Sequence, residues 1–395
     1  MTFRALLATA LLAAAATAQI TVAAQTWATG GGTARGFTAV IDLTDPRLEV
    51  RVTAPLTPLQ TYEAQLRTTS SWHTQQGNRL SINANYFGAL TATTADVIGL
   101  SKSAGALVSP VRQYGAAPDP AIVFAPNKLA TIGNITTAQA AAAQWAVAGV
   151  GPSSTDTVPG TLLVTDGANT GSTARVEPLV RNPRTAVGTN QAGTTLYVVV
   201  VDGRQPGWSV GMTLPELANV FLGLGAWRAI NLDGGGSSSF LYSPPGAALV
   251  QNRPSDGAHR AVANHLGFAI AQSVVVGSAC GNGGTISSTG DFNVGSTNFV
   301  LRLQGAPAGA YAFAGIGFPG NEISCGACTF LDAVSWTFVL QAGGSAIWPW
   351  AVPNQPAFVG SAIGMQWLLL NAPSTPCPLV AGLASTPRLH LTVGP

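Results

Sequence analysis

The chain has 395 residues, of which only 9% are charged, with 18 Lys and Arg against 16 Asp and Glu and a formal net charge of +2. A charge so sparse and balanced excludes a basic nucleic-acid surface and a charged, disordered tail, while the length predicts two domains. The 46 glycines, 26 prolines and many short apolar runs predict a turn-rich, mostly β chain whose polarity comes from Ser, Thr, Asn and Gln.

At the N-terminus Arg4 supplies a positive charge, Ala5 to Ala15 is mostly apolar, and Ala16-Thr17-Ala18 fits a small-residue cleavage site. This pattern predicts a signal peptide over residues 1–18. The run is shorter than the roughly 20 apolar residues of a membrane span, and no later segment offers one. The expected location is therefore secreted, or periplasmic and cell-envelope. Residues 19–273 contain no cysteine, whereas 274–395 contain Cys280, Cys325, Cys328 and Cys377. That asymmetry marks a domain boundary. Four cysteines in an exported chain predict disulfides, with three pairings open. Cys325-Gly-Ala-Cys328 lacks the second CxxC or paired His of a zinc site.

In the first domain Ala39–Leu43, Leu48–Val52 and Arg79–Asn83 are predicted strands. Ala138–Ala148 is alanine-rich and fits a short helix or part of a loop. Thr195-Leu-Tyr-Val-Val-Val-Val201 has the apolar, β-branched character of a buried strand and stops at Asp202-Gly203-Arg204. Thr213-Leu-Pro-Glu216 is a capping box with proline in the first turn, and Leu217, Val220, Phe221 and Leu224 follow at helical spacing up to Gly225. Trp227–Leu232 returns as a strand and ends at Asp233-Gly-Gly-Gly-Ser-Ser238.

Strand, helix and strand in that order predict two parallel strands whose C-terminal ends share one sheet edge. Asp202 and Asp233 then converge, as carboxylates suited to acid/base work or as caps of their own turns. Gly234, Gly235 and Gly236 expose backbone N–H groups to which an anion has access, and Ser237 adds a hydroxyl. The loop lacks the lysine of a Walker motif. Arg181-Asn-Pro-Arg184 places two guanidinium groups on an extended turn, either as solvated surface charges or as ligands for phosphate. No G-x-S-x-G and no HExxH occurs, and the only histidines, His73, His259, His265 and His390, argue against a His-based triad. Nothing in the pattern calls for a metal or a cofactor.

Residues 274–395 read as short strands, among them Asn298–Leu303, Val334–Val339 and Met365–Leu370, separated by glycine and proline. The expected fold is α+β: a mixed β-sheet catalytic domain with packed helices, then a small all-β, sandwich-like accessory domain. Trp348, Trp350 and Trp367 are candidates either for its core or for stacking on sugar.

Taken together, Ile82-Asn-Ala-Asn-Tyr-Phe87, Arg181–Gly188, Val201–Arg204, Asn231–Ser237 and Arg260–Asn264 resemble the phosphodiester glycosidase family over roughly residues 35–272. The resemblance implies hydrolysis of a sugar-1-phosphodiester to free sugar and phosphomonoester. It further implies Arg181 and Arg184 on the phosphate with Arg204 sharing the anion, and Asp202 and Asp233 as acid/base or sugar-orienting groups. Asn83 and Asn85 would bind the sugar, and Gly234, Gly235, Gly236 and Ser237 would hold phosphate or hydroxyl. The expected partner is a phosphodiester-linked sugar or cell-envelope glycan. Many relatives have glycine where Asn85 stands, which puts the identity of the sugar in doubt. Two other functions compete: an exopolysaccharide- or envelope-glycan-binding protein that cleaves nothing, and a metal-dependent phosphodiesterase.

Overall fold

The computed structural model describes every residue except 1–19, 57–61, 89–90, 112, 115–116, 119, 150–160, 246, 326–327, 373–381 and 395. The expected signal segment and Cys377 lie outside the described residues. No helix among them is long and apolar enough to cross a membrane. The fold is α+β and rich in strands. It divides into two compact units, one running to Pro244 and including Ala248–Ala269, the other built mainly of Ile270–Pro395.

In chain order, the elements that frame the first unit are β1 (Ile20–Thr29), β2 (Gly32–Asp42), α1 (Thr69–Gln76), β3 (Leu80–Asn83), α2 (Thr137–Ala142), β4 (Arg184–Thr189), β5 (Thr195–Val201), α3 (Leu214–Gly223), β6 (Arg228–Asn231), β7 (Phe240–Tyr242) and β8 (His265–Ile270). The principal sheet has the order β1-β2-β5-β4-β6, continued by Leu162–Thr165 and Ala168–Asn169. Every neighbouring pair in it is antiparallel. Strands β5 and β6 therefore run in the same direction, as the strand-helix-strand pattern predicts, but they do not pair. Instead β4 lies between them, with Arg184 opposite Val201 and Ala186 opposite Asn231. The C-terminal ends of β5 and β6 thus flank the N-terminal end of β4.

The burial of β5 explains its uninterrupted apolar run: six of its seven residues are buried, so both faces must be apolar. One face packs under α3, where Leu214, Leu217, Ala218 and Phe221 meet Tyr197, Val199 and Val201. Helix α3 starts as its sequence predicts. Thr213 accepts from the Glu216 N–H and Glu216 reaches back to the Thr213 N–H, which satisfies two of the donors a helix start leaves open. A second sheet, with the order Val250–Gln251, β7, β3, β8 and Leu48–Val52, meets the first where the Asp233 N–H donates to Ala84 O at 2.9 Å.

The alanine-rich segment proves to be two elements. Helix α2 opens on a Thr136–Gln139 capping box, and Trp145–Ala148 is a strand paired with Pro120–Phe124. The helical tendency of alanine yields there to sheet pairing.

The second unit is all β. One sheet has the order Ser273–Val276, Arg388–Thr392, Ala362–Leu370, Tyr311–Cys325 and Cys328–Val339, and a smaller one joins Thr285–Thr289, Val300–Gln304 and Ala346–Pro349. Trp367 is fully buried in its core, with Trp348 and Trp350 packed against that core. Cys280 is bonded to Cys328 and Cys325 is also disulfide-bonded, so Cys325-x-x-Cys328 is neither a zinc half-site nor an internal redox pair.

Candidate active site

The two strand ends and the turn between them form one rim. Asn182-Pro183 is clasped by the loops that follow β5 and β6: a methyl group on Gly203 would lie 2.7 Å from Pro183 N, and one on Gly234 would lie 2.8 Å from Pro183 O. Only residues without a side chain allow so close an approach.

Asp202 leaves β5 buried. Its carboxylate accepts from Trp208 Nε1 at 3.0 Å, Asn252 Nδ2 at 3.0 Å and the Arg253 N–H at 3.2 Å. Burial pushes its pKa above the ordinary carboxylate value, opposed by those three N–H donors and by the Arg253 charge. The group is a fixed acceptor. Asn252 also donates to Ser238 O at 3.1 Å, so one amide joins Asp202 to the loop after β6.

Asp233 is buried at the start of that loop. Burial pushes its carboxyl up to about 7, opposed by the Ser237 hydroxyl, the Arg260 charge and the Gly234 amide. Carboxylates in water ionise some three units lower, so this one is poised to exchange a proton at neutral pH. Beside it Tyr86 accepts from Asn231 Nδ2 at 3.0 Å. The Tyr86 hydroxyl is held well above its usual range, first by burial and then by the Asp233 charge.

Cationic groups surround the glycine loop. Arg204, exposed at the tip of its turn, anchors Nε and Nη2 on Asn182 Oδ1 at 3.0 and 2.8 Å. Its Nη1 reaches over Gly235, within 3.3 Å of where a Cβ would stand. Gly235 has φ +59°, a backbone state glycine adopts without strain. Arg260 and the Asp256 carboxylate with which it pairs at 2.6 Å both lie over Gly236. His259 contacts Ser239 Oγ through Nδ1 at 3.0 Å, and its burial lowers its pKa against the pull of Asp202.

Four of the expected ligands are engaged elsewhere. Asn83 is fully buried and donates to Asp233 O at 2.6 Å, while its Oδ1 accepts from Thr185 Oγ1 at 2.7 Å and the Ser239 N–H at 3.0 Å. It ties β3 to β4 and to the glycine loop and has no face left for sugar. Asn85, also buried, donates to Ile98 O and Leu100 O and accepts from the Ala148 N–H. Its amide bears on packing rather than on which sugar is recognised. Arg181 is paired with Glu216 at 2.5 Å on the first turn of α3. Arg184 is buried, with its guanidinium donating to the carbonyls of Met212, Val176, Glu177 and Val180. These groups hold the rim together instead of lining it. Asn83→Ala should accordingly cost about 1–3 kcal/mol, the penalty of stranding buried polar partners, which urea unfolding would measure.

The structure brings together Asp202, Asp233, Arg204, Gly234, Gly235, Gly236 and Ser237, and adds Tyr86, Trp208, Asn252, Arg253, His259 and Arg260. The expected loop donors, however, are largely engaged: the Gly234 N–H and the Ser237 hydroxyl donate to the Asp233 carboxyl, the Gly235 N–H to Pro183 O and the Ser237 N–H to Gly234 O. Two of the added residues stand in motifs already noted, Tyr86 in Ile82–Phe87 and Arg260 at the head of Arg260–Asn264. Trp208, Asn252 and Arg253 lie on loops without periodicity, and no sequence signal marks them. Among the described residues no group of three or more His, Cys, Asp or Glu is placed to hold a metal ion.

Residues 76–269 match the phosphodiester glycosidase family. The catalytic domain of zebrafish N-acetylglucosamine-1-phosphodiester alpha-N-acetylglucosaminidase, auto-inhibited by its pro-peptide, shares the fold with a TM-score of 0.50 at 19% identity, over 65% of this chain and 85% of that one. A hypothetical protein from Synechocystis superposes with a TM-score of 0.46 at 17% identity, over 64% of this chain and 62% of the other. An uncharacterized prophage-derived protein of Bacillus subtilis, YomE, is 40% identical over 87 residues, which is 22% of this chain and only 13% of that protein. The rim formed by Asp202, Asp233 and the glycine loop falls inside residues 76–269, the segment of the chain that matches the phosphodiester glycosidase family.

Proposed function

We propose that the protein is an exported hydrolase that cleaves a sugar-1-phosphodiester to a free sugar and a phosphomonoester. The observation that carries this reading is the pairing of a proton-exchanging carboxyl, Asp233, with a glycine loop over which Arg204 and Arg260 extend. The phosphate is held by those guanidinium groups, an arrangement that favours negative charge building up on the leaving group. The C1–O bond breaks and its electron pair leaves with the phosphate. Water oxygen bonds to C1, and the water proton passes to Asp233. A phosphate monoester leaves without needing a proton, so the group near pH 7 serves best as a base toward water. Asp202, oriented by Trp208, Asn252 and the Arg253 N–H, supplies the countercharge for an oxocarbenium-like anomeric centre.

The Cys280–Cys328 bond and the N-terminal signal pattern support action outside the cytoplasm. The test is a panel of sugar-1-phosphodiesters assayed for equimolar free sugar and phosphomonoester, with and without EDTA. Turnover that survives EDTA fits the proposal, whereas loss with EDTA would move the reading to metal-dependent phosphodiester chemistry. Arg204→Gln should raise KM by about tenfold, the worth of one charge-assisted hydrogen bond, with a smaller change in kcat. An unchanged KM would remove Arg204 from the phosphate site.

A further inference from the structure

Beyond Asp202 the rim carries cations that the reaction above does not use. The Arg35 guanidinium carbon lies 4.7 Å from the Trp208 ring centroid, and that of Arg253 lies 5.4 Å from the same ring. One indole thus gathers two guanidinium groups, each attracted to the electron-rich ring face. Among the described residues neither forms an ion pair, although Arg47, Arg51, Arg181, Arg228, Arg260 and Arg388 all do. The indole is fixed in turn, because Trp208 Nε1 donates to Asp202 and the Trp208 N–H to Gln205 O. Gln205 Nε2 donates to Arg253 O at 2.9 Å, and the Arg35 N–H donates to Ser209 Oγ. The backbones that carry both arginines are therefore bonded to the turn that carries the indole. Bringing two like charges together costs energy that Asp202, already shared among three N–H donors, offsets only in part. In a chain with 18 Lys and Arg, two of them face one indole beside the candidate catalytic carboxylate without an ion-pair contact among the described residues.

We propose that Arg35 and Arg253, organised by Trp208, form a second anion subsite that takes a neighbouring phosphate of the substrate. This inference rests on the phosphodiester reading of the rim and narrows its substrate class to chains that carry more than one phosphodiester. A single phosphodiester brings one negative charge, which Arg204 already meets. A cation pair across Asp202 gains only if a second anion arrives on the same molecule, and binding at two linked points multiplies affinity.

The test uses glycerol-phosphate oligomers with one, two and four phosphodiesters as binding probes, with calorimetry on the full chain at fixed ionic strength. Binding is read without turnover, so its outcome stays separate from that of the cleavage assay. The expected result is that the two- and four-phosphate probes bind at least about tenfold tighter than the one-phosphate probe. Arg35→Gln combined with Arg253→Gln should erase that gain, and the Arg35→Lys, Arg253→Lys pair should keep most of it. Near-UV circular dichroism checks that the Trp208 environment survives in both. Equal affinity for all three probes in the wild type would overturn the proposal, as would a gain that persists in the double Gln variant. A parallel loss for every probe in that variant would merge the two subsites into one and also overturn it.

Discussion

Asp233→Asn is expected to lower turnover by about 10²–10⁴, the range that general acid–base groups contribute, while leaving phosphodiester binding measurable. The amide keeps the volume and the Ser237 hydrogen bond but cannot take a proton. The pH profile carries the sign. With the folded pKa near 7, kcat/KM should rise as pH passes through about 7 and Asp233 ionises. A rate that falls through the same pH would assign it the acid role instead. The same shift predicts an effect on stability. A carboxyl whose folded pKa is raised from 3.8 to about 7 favours the folded state fully below the unfolded value and loses that contribution as pH rises through the folded one. Three units correspond to about 4 kcal/mol as an upper figure. Asp233→Asn should therefore raise Tm at pH 8 and have little effect at pH 4. An unchanged difference between the two pH values would mean that burial does not hold this proton.

The second large effect concerns Arg184. Replacing it by Met should destabilise the fold by about 3–5 kcal/mol, as expected when buried partners of a charged group are abandoned. The cause is the four carbonyls its guanidinium serves, three of them from the 176–180 segment. Val176 and Glu177 both sit at positive φ, 69° and 53°, a conformation costly for residues with a Cβ. The guanidinium draws their carbonyls inward and holds that winding. Lys should rescue little, because a single ammonium cannot reproduce the planar fork that meets Met212 O on one side and Val180 O on the other. The measurement is urea unfolding of wild type, Arg184→Met and Arg184→Lys, alongside KM. A rise in KM with stability unchanged would restore Arg184 to the phosphate site.

The frame of the site is legible in the sequence, while its bonding pattern is not. The apolar run of β5, the capping box of α3 and the return strand β6 all stand where their local patterns put them. The common direction of β5 and β6 follows from that order. What the pattern hides is β4, which forms a hairpin with β5 and also pairs with β6 beyond α3, a contact that no local pattern announces. Charge on a loop also misleads. Arg181 and Arg184 have the spacing of a phosphate ligand pair, yet each is consumed by other partners, Arg181 by Glu216 and the Thr29 hydroxyl 152 residues away and Arg184 by four carbonyls 4 to 28 residues away. Asn83 finds its acceptors and donors 102 to 156 residues along the chain, a distance over which no periodicity operates. Arg204 differs because its turn puts it at positive φ and exposed, with Asn182 as its one hydrogen-bond partner among the described residues.

Breaking either the C1–O or the adjacent P–O bond releases the same sugar and the same phosphomonoester, so product identity alone leaves the central claim open. Hydrolysis of a sugar-1-phosphodiester in oxygen-18 water separates the two, with mass spectrometry of both products. Label on the released sugar is the predicted result, because water attacks C1 while the phosphate leaves with its bridging oxygen. Label on the phosphomonoester would contradict it and place the attack on phosphorus.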